Sequence, residues 1–128
     1  MIVNASDLRI LSTSHSHGKK HDLRLFTESK AMIPNTTIVK ADSGYQGIQK
    51  LHTNSVIPIK KPKKKPRTKA DRRHNRKLSS QRIFVEHVIG KLKFFKIVSD
   101  RYRNRRKRFS LRFNLIAGVY NFELGGDF

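Results

Sequence analysis

Apolar residues between positions 82 and 93 recur at the spacing of an amphipathic α-helix, at i, i+3, i+4 and i+7. The stripe consists of Val85, Val88, Ile89 and Leu92. At about 100° per residue, Arg82, Glu86 and Lys93 project together from a neighbouring side of the same helix. The pattern predicts a helix, ending near Lys96, that packs along one face and holds a carboxylate between two cations on the next. A solvated charge ladder on a surface helix has the same pattern.

The beginning of the chain predicts a strand, a turn and a helix. Alternation over residues 8–14 predicts a short strand that stops before the turn residues 16–18. Asp22 is suited to capping a helix over about 23–31, which must end before Pro34. Asp22 is therefore interpreted as a helix cap.

A β-branched segment, residues 36–41, predicts a second strand that runs directly into Asp42 and a glycine-containing turn. A short helix to about His52 is expected next, and then a strand over 55–59 whose proline favours a sheet edge or the end of the strand. Asp42 is thus expected at the carboxyl end of a strand. An aspartate that only closes an Asx-turn or caps a helix can occupy the same position.

Basic residues are concentrated in two segments. Lys60 to Lys77 is interpreted as a mobile linker or as an arm that follows nucleic-acid phosphates, and its second half can join the helix that carries Glu86. A nuclear-localisation cluster has a similar composition. Arg101 to Arg108 forms the second block, and the apolar residues after it predict a carboxy-terminal helix that needs a partner surface. We expect three parts: a core over 1–59, the basic segment over 60–77 and two helices over 78–128.

Composition narrows the class of protein. The 128 residues include 29 Lys and Arg against 9 Asp and Glu, a formal net charge of +20, which favours a polyanionic partner, above all nucleic acid. Because the chain has no cysteine, disulfides and thiolate metal sites are excluded. The sequence shows no signal peptide and no membrane-spanning segment, and its basic residues do not face a broad apolar surface, so we expect an intracellular protein that does not bind membranes.

Two carboxylates that are distant in sequence are candidates for a metal site. Asp42 and Glu86 can meet in space, and paired carboxylates suit Mg²⁺, which prefers hard oxygen ligands. A magnesium ion held there would activate water and stabilise a leaving phosphate oxygen. His15, His17 and His21 lie on an expected flexible turn without a matching fourth ligand, so they are not assigned to a metal.

Four motifs occur in an order that resembles the carboxy-terminal part of a bacterial insertion-sequence transposase with a DDE catalytic triad. Arg82, Glu86 and Lys93 have the most specific spacing. The motifs are Gly18-Lys19-Lys20-His21-Asp22, Ala41-Asp42-Ser43-Gly44-Tyr45-Gln46-Gly47, Arg82-x3-Glu86-x6-Lys93 and Asn114-Leu115-Ile116-Ala117-Gly118-Val119-Tyr120-Asn121. The resemblance covers essentially the whole chain.

The resemblance implies a site and its partners. Asp42 would be the second acid and Glu86 the third, both ligands to catalytic Mg²⁺ or Mn²⁺, with Arg82 and Lys93 on DNA phosphates beside them. It also implies DNA as the partner, at both element ends and target, with the possibility of a homo-oligomer and a location at the bacterial nucleoid in the cytoplasm. Further DNA contacts are expected at Lys63, Lys64, Lys65, Arg105 and Arg106.

The chain departs from the family pattern in two places. Ser79 stands where fuller versions of the motif have a tyrosine, and no strand carries the first acid, since neither Asp7 nor Asp22 is a convincing substitute. We therefore expect an α/β, partial ribonuclease H-like fold that lacks its first strands and has a carboxy-terminal helical extension. Such a chain would be a truncated copy or a second reading frame, inactive alone. The alternative is a non-catalytic, basic nucleic-acid-binding protein.

Overall fold

The computed structural model describes residues 1–16, 18–99 and 108–125. These residues form a mixed α/β structure that divides into two units. The terminal unit contains Met1–His15 and Ile83–Phe128, and the central unit contains Ser16–Arg82. The α/β class predicted from the sequence is confirmed at this level, whereas the three-part division at residues 59 and 77 stays a prediction.

The terminal unit is built on a short antiparallel pair, β1 (Ile2–Val3) and β2 (Ile10–Ser12). An asparagine of the carboxy-terminal helix holds β2 at both backbone groups of one residue: Ile10 N donates to Asn121 Oδ1 at 2.8 Å, and Asn121 Nδ2 donates to Ile10 O at 2.8 Å. This satisfies an edge-strand residue without a third strand. The core beneath consists of Ile10, Val88, Leu92, Ile116, Ala117 and Tyr120.

The central unit contains a helix, a two-stranded parallel sheet and two 3₁₀ turns, the first of which contacts the helix. Helix α1 spans Asp22–Glu28, and β3 (Val39–Lys40) pairs with β4 (Ser55–Val56). Two 3₁₀ turns, Ser43–Tyr45 and Ile48–Lys50, join the strands. Among the described residues of this unit, the buried side chains are Ile48, His52 and Leu78.

Helix α2 spans Lys69–Phe94 and contains all of the predicted Arg-Glu-Lys motif. It begins with a reciprocal cap in which Thr68 N donates to Asp71 Oδ2 at 3.0 Å and Asp71 N donates to Thr68 Oγ1 at 3.1 Å. The prediction that the second half of the basic segment is helical is therefore confirmed. The predicted apolar stripe is confirmed in part: Val88 and Leu92 are buried and Val85 is half-buried, whereas the prediction was wrong for Ile89, which is exposed.

The remaining helices are α3 (Lys96–Ser99) and α4 (Phe109–Gly125). The predicted carboxy-terminal helix is confirmed, and it buries Ile116, Ala117 and Tyr120. Among the described residues, no helix combines the length and apolar character needed to cross a membrane.

Several predicted boundaries were wrong. Helix α1 ends at Glu28 rather than near residue 31, and its N-cap is His21, whose Nδ1 accepts from Leu23 N, so Asp22 is the first helical residue and not the cap. Helix α2 ends at Phe94 instead of Lys96, and the described strands are shorter than the predicted ones. The short helix expected before His52 is two 3₁₀ turns. Strand β1 was not predicted, because its two residues are too few to show alternation.

Some predictions fall on other parts of the chain. His17, Arg105 and Arg106 lie outside the described residues. The assignment of the two arginines to DNA contacts stays a prediction.

Candidate active site

Asp42 lies directly after β3, as predicted, and its carboxylate is fixed by the turn that follows. Ala41 N donates to Val56 O at 3.0 Å, so the parallel pairing extends to the residue before the acid. Asp42 Oδ1 then accepts from Gly44 N at 2.7 Å and caps the 3₁₀ turn Ser43–Tyr45. The cap that was the alternative interpretation of Asp42 is therefore present. It occupies one carboxylate oxygen and leaves Oδ2 for another partner.

That partner is Arg82, a member of the predicted motif, on the part of α2 that belongs to the central unit. Arg82 Nη2 lies 3.4 Å from Asp42 Oδ2, and the two side chains are 42% and 36% exposed. An ion pair this accessible to water adds little to folding stability and can exchange for other ligands. Asp42 thus combines a fixed oxygen with an oxygen that is paired but open to exchange.

A second carboxylate, that of Asp22, adjoins the same turn. A Cβ placed on Gly44 would lie 2.5 Å from Asp22 Oδ2 and 3.0 Å from Asp42 Oδ1. Both carboxylates therefore lie close to the position that a side chain at residue 44 would occupy, and a larger residue requires at least one of them to move. Sequence reasoning missed this relationship because residues 22 and 42 are separated by a whole helix and loop, and the only local feature was the His-Asp pair itself.

Tyr45 reports on the electrostatics of this turn. Burial raises the pKa of Tyr45 above its ordinary value, and the negative charges of Asp22 and Asp42 raise it further. Its ring lies edge-on to Phe26 of α1, with the centroids 6.4 Å apart. The turn therefore combines the charge of two carboxylates with a partly apolar wall.

The other predicted site residues lie on α2 and on the loop before it. Glu86 and Lys93 are on α2 within the terminal unit, where both side chains are exposed. Lys63, Lys64 and Lys65 are exposed on the loop between β4 and α2 in the central unit. Their roles as metal ligand or DNA contacts stay predictions.

The two described histidines of the amino-terminal turn have structural partners. His15 packs edge-on against Phe109 and Phe113, with centroids 5.3 and 4.7 Å apart, and His21 caps α1. Within the described ranges, no group of three or more His, Asp or Glu side chains is arranged to hold a metal.

These features define a basic α/β protein with a carboxylate positioned at the end of a strand. Residues 1–121 match the family model of the DDE superfamily endonucleases, and the chain belongs to this family. It is 48% identical over 124 residues to the probable transposase of insertion sequence element IS702 from Microchaete diplosiphon.

The match covers 97% of this chain and 45% of the IS702 protein, so the chain spans less than half of that relative. No solved structure matches the chain. The resemblance to insertion-sequence transposases is confirmed by the family model and by the relative.

Proposed function

We propose that this chain is the carboxy-terminal part of a DNA transposase whose complete form hydrolyses phosphodiester bonds at element ends and joins the freed 3′ hydroxyls to target DNA. The observation that carries the proposal is Asp42, which follows a strand, is fixed by Gly44 N and pairs with Arg82 of the family motif. In the complete protein the short sheets would belong to a ribonuclease H-like domain in the cytoplasm, at the nucleoid.

Asp42 and Glu86 would hold Mg²⁺ or Mn²⁺, with Asp42 as the second acid and Glu86 as the third. Carboxylate oxygens are the donors that these ions prefer. Asp42 fits the role because its carboxylate is oriented by a backbone hydrogen bond before any ion binds. The bound metal would activate water and stabilise the leaving oxygen. Arg82 pairs with Asp42 through an exposed contact, so its guanidinium can leave this carboxylate and pair with a DNA phosphate instead.

A second candidate function is non-catalytic nucleic-acid binding. Exposed Lys63, Lys64 and Lys65 favour it, because among the described residues these side chains make no ion pair. Their charge is therefore available to phosphates whether or not a metal binds.

Titration of the isotope-labelled chain with Mn²⁺ separates the two functions. The catalytic proposal predicts paramagnetic broadening centred on residues 42–45 and around Glu86. Asp42→Asn and Glu86→Gln should each weaken Mn²⁺ binding at least tenfold, whereas Glu123→Gln, an exposed acid on α4, should not. If Asp42→Asn and Glu86→Gln leave Mn²⁺ affinity unchanged while DNA still binds, the non-catalytic function replaces the catalytic one.

A further inference from the structure

The loop between β4 and α2 carries the densest positive charge of the central unit. Six of the eight residues from Lys60 to Arg67 are basic, the other two are Pro62 and Pro66, and all eight are exposed. We call residues 60–67 the basic loop. In the part of the chain that the structure describes, none of its cations forms an ion pair. Its composition alone favours a mobile tether.

The contacts at the start of the basic loop indicate a fixed position. Ile59 N donates to Asn75 Oδ1 at 2.8 Å, and Asn75 Nδ2 donates to Ile59 O at 3.0 Å. One asparagine on α2 therefore holds both backbone groups of the residue that precedes the loop. These hydrogen bonds fix Ile59 at one turn of helix α2. His74 adds a contact, since its Nε2 lies 3.3 Å from Ile57 O.

The other end of the basic loop is fixed as well. Thr68 is held by its reciprocal hydrogen bonds with Asp71 at the beginning of α2. Between the two attachments, Pro62 and Pro66 each fix one φ angle and restrict the residue before them to extended backbone. An eight-residue loop with two fixed ends and two prolines has far fewer conformations than a free arm.

The Asn75 contact makes no contribution to a core. Both of its hydrogen bonds are exposed, and Ile59 is itself 40% exposed. The similar contact of Asn121 with Ile10 in the terminal unit is different, because Ile10 belongs to the buried core there. Since exposed hydrogen bonds contribute little net stability, the Asn75 contact has more consequence for where the loop lies than for whether the unit folds.

We propose that Asn75 is a positioning residue that holds the basic loop in a preformed shape for binding the phosphate backbone of DNA. The proposal rests on the proposed function, because the transposase and the non-catalytic alternative both bind DNA, and it assigns phosphate contacts to the lysines of this loop. Preforming the loop lowers the conformational entropy lost on binding and so raises affinity. The number of phosphates that the loop neutralises stays the same, because Asn75 carries no charge.

Because Asn75 affects the position of the basic loop and the lysines supply its charge, the two effects can be measured separately. Binding of fluorescently labelled duplex DNA to the full 128-residue chain is measured by anisotropy over a range of salt concentrations. The slope of log K against log salt reports the phosphates neutralised, at about 0.9 per contact, and the affinity at a single salt concentration includes the ordering cost. The variants are Asn75→Ala, Asn75→Asp, the triple Lys63→Ala/Lys64→Ala/Lys65→Ala and the matched control Asn54→Ala, whose exposed amide also donates to a backbone carbonyl in the central unit.

Asn75→Ala is expected to weaken binding about fivefold to tenfold at every salt concentration with the slope retained, on the scale of 1.4 kcal/mol per tenfold change. Asn75→Asp keeps an acceptor for Ile59 N but loses the donor to Ile59 O. Its DNA affinity should lie between those of Asn75→Ala and the parent, once the salt-dependent effect of its added charge is subtracted. The triple lysine variant should lower the slope by about 2.7, which is three contacts at 0.9 each.

Amide spectra show whether Asn75→Ala retains the fold, with changes expected only near residues 57–68 and 75. Parent-like affinity of a folded Asn75→Ala variant would overturn the positioning role, as would a loss no larger than that of Asn54→Ala. If this chain does not bind DNA through the loop lysines, the result is different, since the triple lysine variant would then leave the salt slope unchanged.

Discussion

The carboxylate of Asp22 lies against Gly44, where a Cβ would come within 2.5 Å of Asp22 Oδ2. This contact connects the first residue of α1 to the turn that orients Asp42. A side chain at position 44 would displace the Asp22 carboxylate from this contact. Position 44 thus gives a direct way to disturb the candidate site without removing a charge.

Gly44→Ala should destabilise the chain by at most about 1 kcal/mol, less than an overpacked core would lose, because the closest atom, Asp22 Oδ2, ends an exposed side chain that can turn away. The cost should be smaller in an Asp22→Ala background, because the closer of the two conflicting atoms is then absent. Urea unfolding of the parent, the two single variants and the double variant measures the coupling. Equal costs of Gly44→Ala in both backgrounds would show that Asp22 is not the residue that excludes a side chain.

Gly118→Ala should have the opposite effect. Gly118 lies inside α4, and a Cβ there would meet no other atom within 4 Å. Alanine is favoured over glycine in a helix interior by about 1 kcal/mol, so the variant should be more stable by roughly that amount. Thermal unfolding measures the change. A lower melting temperature would show that position 118 is packed more closely than the structure describes.

The tyrosinate titration of Tyr45 tests the charges around the turn. Because burial, Asp22 and Asp42 raise its pKa above the ordinary value of 10.0, the folded chain retains the phenolic proton to higher pH than the unfolded chain. The contribution of protonated Tyr45 to stability is complete below pH 10 and is lost as the pH rises through the pKa of Tyr45 in the folded chain. Carbon-13 labelled tyrosine spectra should show the pKa of Tyr45 falling in both Asp22→Asn and Asp42→Asn. An unchanged pKa in Asp22→Asn would place its charge farther from Tyr45.

His15 should make the terminal unit sensitive to mild acid. Burial lowers the pKa of His15 below 6.5, and the positive amino terminus lowers it further. As the pH falls, His15 therefore binds a proton in the unfolded chain before it does so in the folded chain. The contribution of neutral His15 to stability is complete above pH 6.5 and is lost as the pH falls below that value. Urea unfolding should show that the free energy of unfolding decreases less between pH 7.5 and pH 5.5 for His15→Asn than for the parent. Identical decreases in the variant and the parent would show that His15 does not cause the loss of stability in acid.

The sequence predicted those parts of the fold that depend on local pattern. Helical spacing located Val88 and Leu92 in the core, and the β-branched segment located Asp42 at a strand end. The apolar residues of α4 predicted a helix but not which side is buried: Leu115 is 70% exposed, whereas Ile116 is 7% exposed. A helix with apolar residues on every side gives no periodic difference from which to choose.

Contacts between distant segments could not be predicted in this way. The hydrogen bonds of Asn121 with Ile10 join residues 111 positions apart, and neither residue has a local feature that indicates the other. Likewise, the composition of residues 60–77 favoured a mobile arm, because the charges are visible in the sequence and the hydrogen bonds of Asn75 with Ile59 are not.

DNA cleavage is the most direct test of the central claim that Asp42 and Glu86 are the second and third acids of a DDE site. The 128-residue chain is compared with a version extended upstream in frame by a segment that carries an acid on a strand. The assay is Mg²⁺-dependent nicking of DNA carrying the element's ends. We expect no nicking by the short chain, because two carboxylates do not hold both ions of a two-metal site. The extended chain should nick, and Asp42→Asn or Glu86→Gln should each abolish it. Nicking by the extended chain that persists in either variant would contradict the claim.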